Sequence, residues 1–208
     1  MGLTERTVGE FLEAVAASTP TPGGGSVAAL CGALSTALSR MVAGLAIDKQ
    51  GYEAVQGDLT GLQDRAVGLQ ARLLALVDSD AAAYDGVVAA MRRPKATEAE
   101  KTARVAAIQA AYLQASEVPL QTMEACVEAL GLSLEAAQKG NRNAVTDAGA
   151  AALLAGAGVR AASLNVRINL TALKDGQVRS RIETRLHELL QRADKTGHEA
   201  LAYVEGRI

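Results

Sequence analysis

The chain has 208 residues, 49 % of them apolar, so one sizeable hydrophobic core can be built. Aromatic residues make up only 2 % and there is no Trp, which excludes a β-sandwich or barrel rich in large side chains and excludes base-stacking platforms. The net charge is −2 and no basic run occurs, so neither nucleic acid nor an anionic membrane is an expected partner.

Alanine is abundant, and it is the strongest helix former. Thr7 and Glu10 form a capping box that opens a helix to about Ala17. The segment Ser18–Gly25 cannot be helical, since Pro20 and Pro22 precede three glycines. Ser26 is placed to cap a long helix reaching Asp48. A short loop follows with Lys49, Gly51 and Tyr52. The next helix runs from about Asp58 to Arg93, with Leu62, Ala66, Leu69, Leu73 and Leu76 at steps of three and four. Pro94 ends it, and Thr97 with Glu100 opens another helix. Pro119 predicts a kink or break there, and Gly131 a C-cap before a short helix to Lys139. After the polar loop Asn141–Thr146, with Thr146 or Asp147 as cap, a helix runs to Leu173. The last helix carries Val178, Ile182, Leu186, Leu189 and Ala193 on one face.

No strand pattern, repeat or linker interrupts this series. The expected fold is all-α: a single domain over 1–208, a bundle of about five or six long, antiparallel, Ala-rich helices. Its small-residue faces suit an oligomer. The N-terminus carries Glu5, Arg6, Glu10 and Glu13 and does not read as a signal peptide. The apolar helices carry charges and amides, such as Arg40, Arg160, Asn165 and Arg167, that membrane spans rarely tolerate. A soluble, cytoplasmic protein is expected. Cys31 and Cys126 read as structural thiols, and His187 and His198 as surface residues without metal-ligand spacing.

Four constellations could carry chemistry. Gly23, Gly24, Gly25 and Ser26 bring a bare backbone to a helix N-terminus, either an anion- or carbonyl-binding feature or a tight crossing. Asn141, Asn143 and Asp147 gather polar groups at another helix start, where capping accounts for one of them. Asn165 and Asn169 lie four apart on one face, about 27 Å along the helix from Asp147, so the two ends cannot share a small ligand within one chain. Asp80 sits among small apolar residues, where burial would raise its pKa toward acid/base work. Lys95 is a loop cation able to meet a substrate carboxylate.

These segments resemble the cyclodeaminase/cyclohydrolase family of one-carbon folate metabolism, which occurs as the C-terminal domain of formimidoyltransferase-cyclodeaminase and as stand-alone bacterial proteins. The resemblance lies in Phe11-Leu12, Pro20-Thr-Pro-Gly-Gly-Gly-Ser26, Met41-Val42, Asp80-Ala-Ala-Ala-Tyr84, Pro94-Lys95 with Arg104, Val118-Pro119-Leu120, Gly140-Asn141 with Asn143, Asp147-Ala-Gly149, Leu164-Asn165 and Asn169-Leu170. It implies a reduced folate as substrate, a homodimer or higher homo-oligomer, and no metal or redox cofactor. It implies either cyclodeaminase chemistry, in which 5-formimidoyltetrahydrofolate loses ammonia, or cyclohydrolase chemistry, in which water opens 5,10-methenyltetrahydrofolate. The first is the leading expectation and the second the alternative, with a non-catalytic helical scaffold as a third reading. Asp147 or Asp80 is the expected acid/base group. The four asparagines are expected against the pterin edge, the glycine loop beside the ligand, and Tyr52 or Tyr84 against the ring. The loop Asp48-Lys-Gln-Gly-Tyr52 departs from the family pattern in carrying one lysine rather than several, and Lys95 is a candidate substitute.

Overall fold

The structure is a computed structural model that describes residues 2–208. The described residues form six α-helices and no strand: α1 (Val8–Ala16), α2 (Gly24–Gly44), α3 (Gln56–Met91), α4 (Glu98–Lys139), α5 (Val145–Leu170) and α6 (Gly176–Glu205). Short 3-10 turns at Leu3–Glu5, Glu53–Val55 and Arg142–Ala144 join them. Both expected capping boxes are present. Thr7 accepts from the Glu10 N–H and Thr97 from the Glu100 N–H, and each glutamate reaches back to its cap. Asp175 caps α6 through the N–H groups of Gln177 and Val178.

From α2 onward, sequential neighbours are antiparallel. Ser26 meets Val77 and Gly32 meets Leu73, which sets α2 against α3. Arg65 pairs with Glu135 and Arg72 with Glu128, which sets α3 against α4. Asn169 reaches Ala115, and Arg160 reaches Asp194, extending the pattern to α5 and α6. The core is built mainly of alanine and leucine, with Leu59, Leu62, Leu73, Met123, Leu130, Leu186 and Leu189 fully buried. Small residues let the helices approach closely. A β-carbon at Gly158 would lie 2.9 Å from the Ala28 carbonyl oxygen and 2.8 Å from Cys126 Sγ. Burial pushes the Cys126 thiol up to about 12, which keeps it inert. Two helical segments, Gly24–Gly44 and Arg142–Leu170, are long and apolar enough to cross a membrane, yet half of each apolar window is buried within the bundle.

Three local expectations change. The helix containing Pro119 neither breaks there nor stops at Gly131, and α4 is continuous over Glu98–Lys139. The missing Pro119 N–H leaves the Ala115 carbonyl without its helical donor, and the Asn169 side chain supplies one from α5 at 2.6 Å. Ser26 is not the cap of α2: Gly23 occupies that position and Ser26 lies in the first turn. Neither Thr146 nor Asp147 caps α5, whose N-cap is Ala144; Asn141 instead caps the preceding 3-10 turn.

Candidate active site

A cleft of about 410 Å³ opens where the N-terminus of α2, the second half of α3 and the C-terminal half of α5 converge. Gly23 and Gly24 form one lip, after an extended arm with a cis Thr21–Pro22 peptide bond. Asp80, Tyr84 and Met91 come from α3, Tyr112 and Ala115 from α4, and Asn165, Ile168 and Asn169 from α5. Six of the expected site residues therefore meet: Gly23, Gly24, Asp80, Tyr84, Asn165 and Asn169.

Asp80 is the titratable carboxyl of this cleft. Burial raises its pKa above the ordinary carboxylate value, and hydrogen bonds from the Ser26 hydroxyl and backbone oppose that rise. The Ser26 hydroxyl lies 3.2 Å from Asp80 Oδ2 and 2.8 Å from the Val77 carbonyl oxygen. Gly25 is shaped for the same carboxyl, because a β-carbon at this position would overlap Asp80 Oδ1. The first N–H groups of α2 have no helical acceptor and carry the positive end of the helix dipole, so the carboxyl sits at an electropositive terminus. Gly25 and Ser26 are buried behind this wall.

The two carboxamides are held by backbone carbonyls. Asn165 Nδ2 donates to Ala161 O at 3.1 Å and Asn169 Nδ2 to Ala115 O at 2.6 Å. Each amide oxygen remains as the acceptor available to a ligand. Tyr112 was not expected from the sequence. It stands on α4 with no polar motif around it, and only the crossing of α4 over α5 carries it to the cleft.

The remaining expected residues lie elsewhere. Asn141 is buried and fully occupied: its Nδ2 donates to Leu45 O at 2.7 Å, its Oδ1 accepts from the Asn143 N–H, and its own N–H donates to Val42 O. It ties the α4–α5 connection to the end of α2. Tyr52 accepts from the Arg142 N–H at this same pole and not at the cleft. Asn143 and Asp147 flank it, about 27 Å along α5 from Asn165. Lys95 lies in the exposed α3–α4 connection, beyond the Met91 wall, whose carbonyl is held by Arg104. A second groove of about 540 Å³ lies against the outer side of the arm, where Asp78 accepts from the Leu3 N–H. No cluster of three or more His, Cys, Asp or Glu side chains able to hold a metal occurs among the described residues.

The sequence model described as formiminotransferase-cyclodeaminase matches residues 7–188. The chain belongs to the formiminotransferase-cyclodeaminase family. The resemblance seen in the ordered motifs is thereby established over most of the chain. A methenyltetrahydrofolate cyclohydrolase of Methylorubrum extorquens is 43 % identical over 183 residues, covering 88 % of this chain and 86 % of that protein. A formimidoyltransferase-cyclodeaminase of Rattus norvegicus is 32 % identical over 99 % of this chain, which spans only 38 % of that protein. The crystal structure of formiminotetrahydrofolate cyclodeaminase from Thermotoga maritima superposes with a TM-score of 0.89 at 27 % identity, covering 98 % of both chains. The six-helix architecture is thus that of the family.

Proposed function

We propose that this chain acts on the one-carbon unit between N5 and N10 of a reduced folate, with Asp80 as its acid/base group. The observation that carries the proposal is a half-buried carboxyl of raised pKa in a cleft walled by fixed carboxamides. The reaction best supported is opening of 5,10-methenyltetrahydrofolate to 10-formyltetrahydrofolate. Identity is higher with the cyclohydrolase, 43 %, than with the two-domain cyclodeaminase, 32 %.

In this reading the Asp80 carboxylate takes a proton from water as the water oxygen bonds to the methenyl carbon. The bond from that carbon to N5 then breaks, and Asp80 returns the proton to N5. The carbinol hydroxyl releases its proton to solvent as the formyl group forms. The Asn165 and Asn169 amide oxygens accept from N–H groups of the pterin edge, and the Gly24 N–H at the lip of the cleft faces its carbonyl. Ammonia loss from 5-formimidoyltetrahydrofolate is a second reading, supported by the likeness to the Thermotoga cyclodeaminase. There, N10 attacks the formimidoyl carbon, and Asp80 moves the N10 proton to the departing nitrogen. The folate is the substrate, and the chemistry draws on no further cofactor.

The whole of 1–208 acts as one domain of this type, in the cytoplasm, as a homodimer or higher homo-oligomer. Exposed Leu34 and Met41 on α2, Leu45 just after it, and Leu153, Leu164 and Ile168 on α5 support the oligomer. Asn143 and Asp147 reach a substrate in the cleft only from a neighbouring copy, given their separation along α5.

The test follows the methenyl chromophore, which disappears in hydrolysis and appears in ammonia loss. Asp80→Asn is expected to lower turnover at least about 10²-fold with either folate. Near-full turnover in this variant would remove Asp80 from the chemistry. Absence of binding heat with any reduced folate would favour a non-catalytic scaffold.

A further inference from the structure

Ser26 is fully buried, and its hydroxyl touches two acceptors of different kinds. The Val77 carbonyl oxygen, at 2.8 Å, can only accept. Asp80 Oδ2, at 3.2 Å, accepts when ionised and donates when protonated. A hydroxyl carries one proton and two lone pairs. When Asp80 is ionised, the Ser26 proton turns to Oδ2. When Asp80 is protonated, its own O–H donates to Ser26 Oγ, and the Ser26 proton turns to Val77. Both arrangements use the same heavy-atom positions. We propose that Ser26 is a positioning residue whose hydroxyl reverses its hydrogen bond as Asp80 gains and loses a proton, holding that carboxyl in one place through both halves of a proton transfer.

Gly25 leaves room for the carboxyl to lie against α2, since a β-carbon there would overlap its other oxygen. Among the described residues that line the cleft, Asp80 has no charged neighbour. Its ionisable neighbours in the cleft are Tyr84 on its own helix and Tyr112 on α4. From α2 it meets glycine backbone and Ser26, and from α5 the neutral amides of Asn165 and Asn169. Burial and the Ser26 hydrogen bonds set its titration. Asp78 and Asp85 line the groove on the far side of the arm with Arg6.

The inference rests on the reading of Asp80 as the acid/base group, and two readouts separate them. The Asp80 carboxyl is titrated directly by carbon-13 NMR of aspartate-labelled protein, assigned with Asp80→Asn. The pH profile of kcat/KM is measured in parallel. Ser26→Ala removes the hydroxyl that stabilises the ionised form. It is expected to move the Asp80 titration and the acidic limb of the profile together to higher pH, and to lower kcat about tenfold. Ser26→Cys keeps a side chain of similar shape, slightly larger and with a weaker donor, and is expected to shift both in the same direction by less. It also supplies the answer if Ser26→Ala does not fold. An unchanged titration and limb, with only rate or melting temperature lowered, would overturn the inference and leave Ser26 structural. A shifted titration alongside an active Asp80→Asn would keep the Ser26–Asp80 coupling and remove the catalytic reading instead.

Discussion

Asp80 makes opposite demands on folding and on function. Its raised pKa means that the folded chain holds the proton more tightly than the unfolded chain does. This term favours folding fully below the ordinary carboxylate range and is lost as pH rises through the raised folded value. Above that value a desolvated charge is carried at a cost. Asp80→Asn is therefore expected to melt higher than the parent at pH 7 to 8, and the advantage is expected to shrink on acidification. Calorimetry across pH reads both, and a variant that melts lower at every pH would contradict the assigned burial. The sequence made Asp80, Asn165, Asn169 and the glycine arm legible because polar groups there interrupt otherwise small apolar faces. It could not show that Gly25 and Ser26 stand behind the carboxyl rather than beside the ligand, because that depends on how closely α2 and α3 approach. Nor could it show that the Asn141 side chain is spent on two backbone groups, one in its own connection and one at Leu45, since Leu45 lies far away in the chain.

Pro119 shows how a helix defect becomes a feature of the neighbouring element. Read along α4 alone, a proline predicts disruption, because it removes a donor and crowds the preceding turn. In the bundle the freed Ala115 carbonyl faces α5, and Asn169 closes the gap at 2.6 Å. Helix continuity and the orientation of a cleft amide thus share one hydrogen bond. Pro119→Ala is expected to restore an intrahelical N–H that competes for Ala115. KM for the folate should rise about fivefold while kcat changes less, with no loss of helix stability. Steady-state kinetics with a thermal melt separates this from simple unfolding, which would lower both together. The helix faces themselves were readable from periodicity: Leu62, Ala66, Leu69, Leu73 and Leu76 are all buried on α3, as are Ile182, Leu186, Leu189 and Ala193 on α6. Helix ends were less so. Gly131 is exposed with open space beside it, and nothing in the packing requires a stop there.

At the scale of the molecule, α5 joins two poles, with the cleft at one end and Asn143 with Asp147 at the other. An exposed apolar face of α2 and α5 lies between them, with Leu153 and Leu164 exposed at 60 % and 65 %. Leu153→Glu with Leu164→Glu is expected to yield monomers in analytical ultracentrifugation, and an unchanged mass would move the interface elsewhere. Mixing Asp80→Asn with Asp147→Asn protein tests whether the second pole serves a neighbouring cleft. Partial recovery of turnover is expected, and full activity of Asp147→Asn alone would leave that pole structural. The antiparallel all-helical plan was legible from composition and short connections, but the meeting of α2, α3, α4 and α5 at one cleft was not, since no local pattern encodes which ends coincide. That meeting also fixes the optical character of the protein. Of its four tyrosines, Tyr84 and Tyr112 border the cleft, and there is no tryptophan to mask them. Tyrosines at the cleft therefore contribute to the intrinsic ultraviolet emission, and a pterin that absorbs in this range will quench it on arrival, so the native chain is its own fluorescent reporter of folate binding.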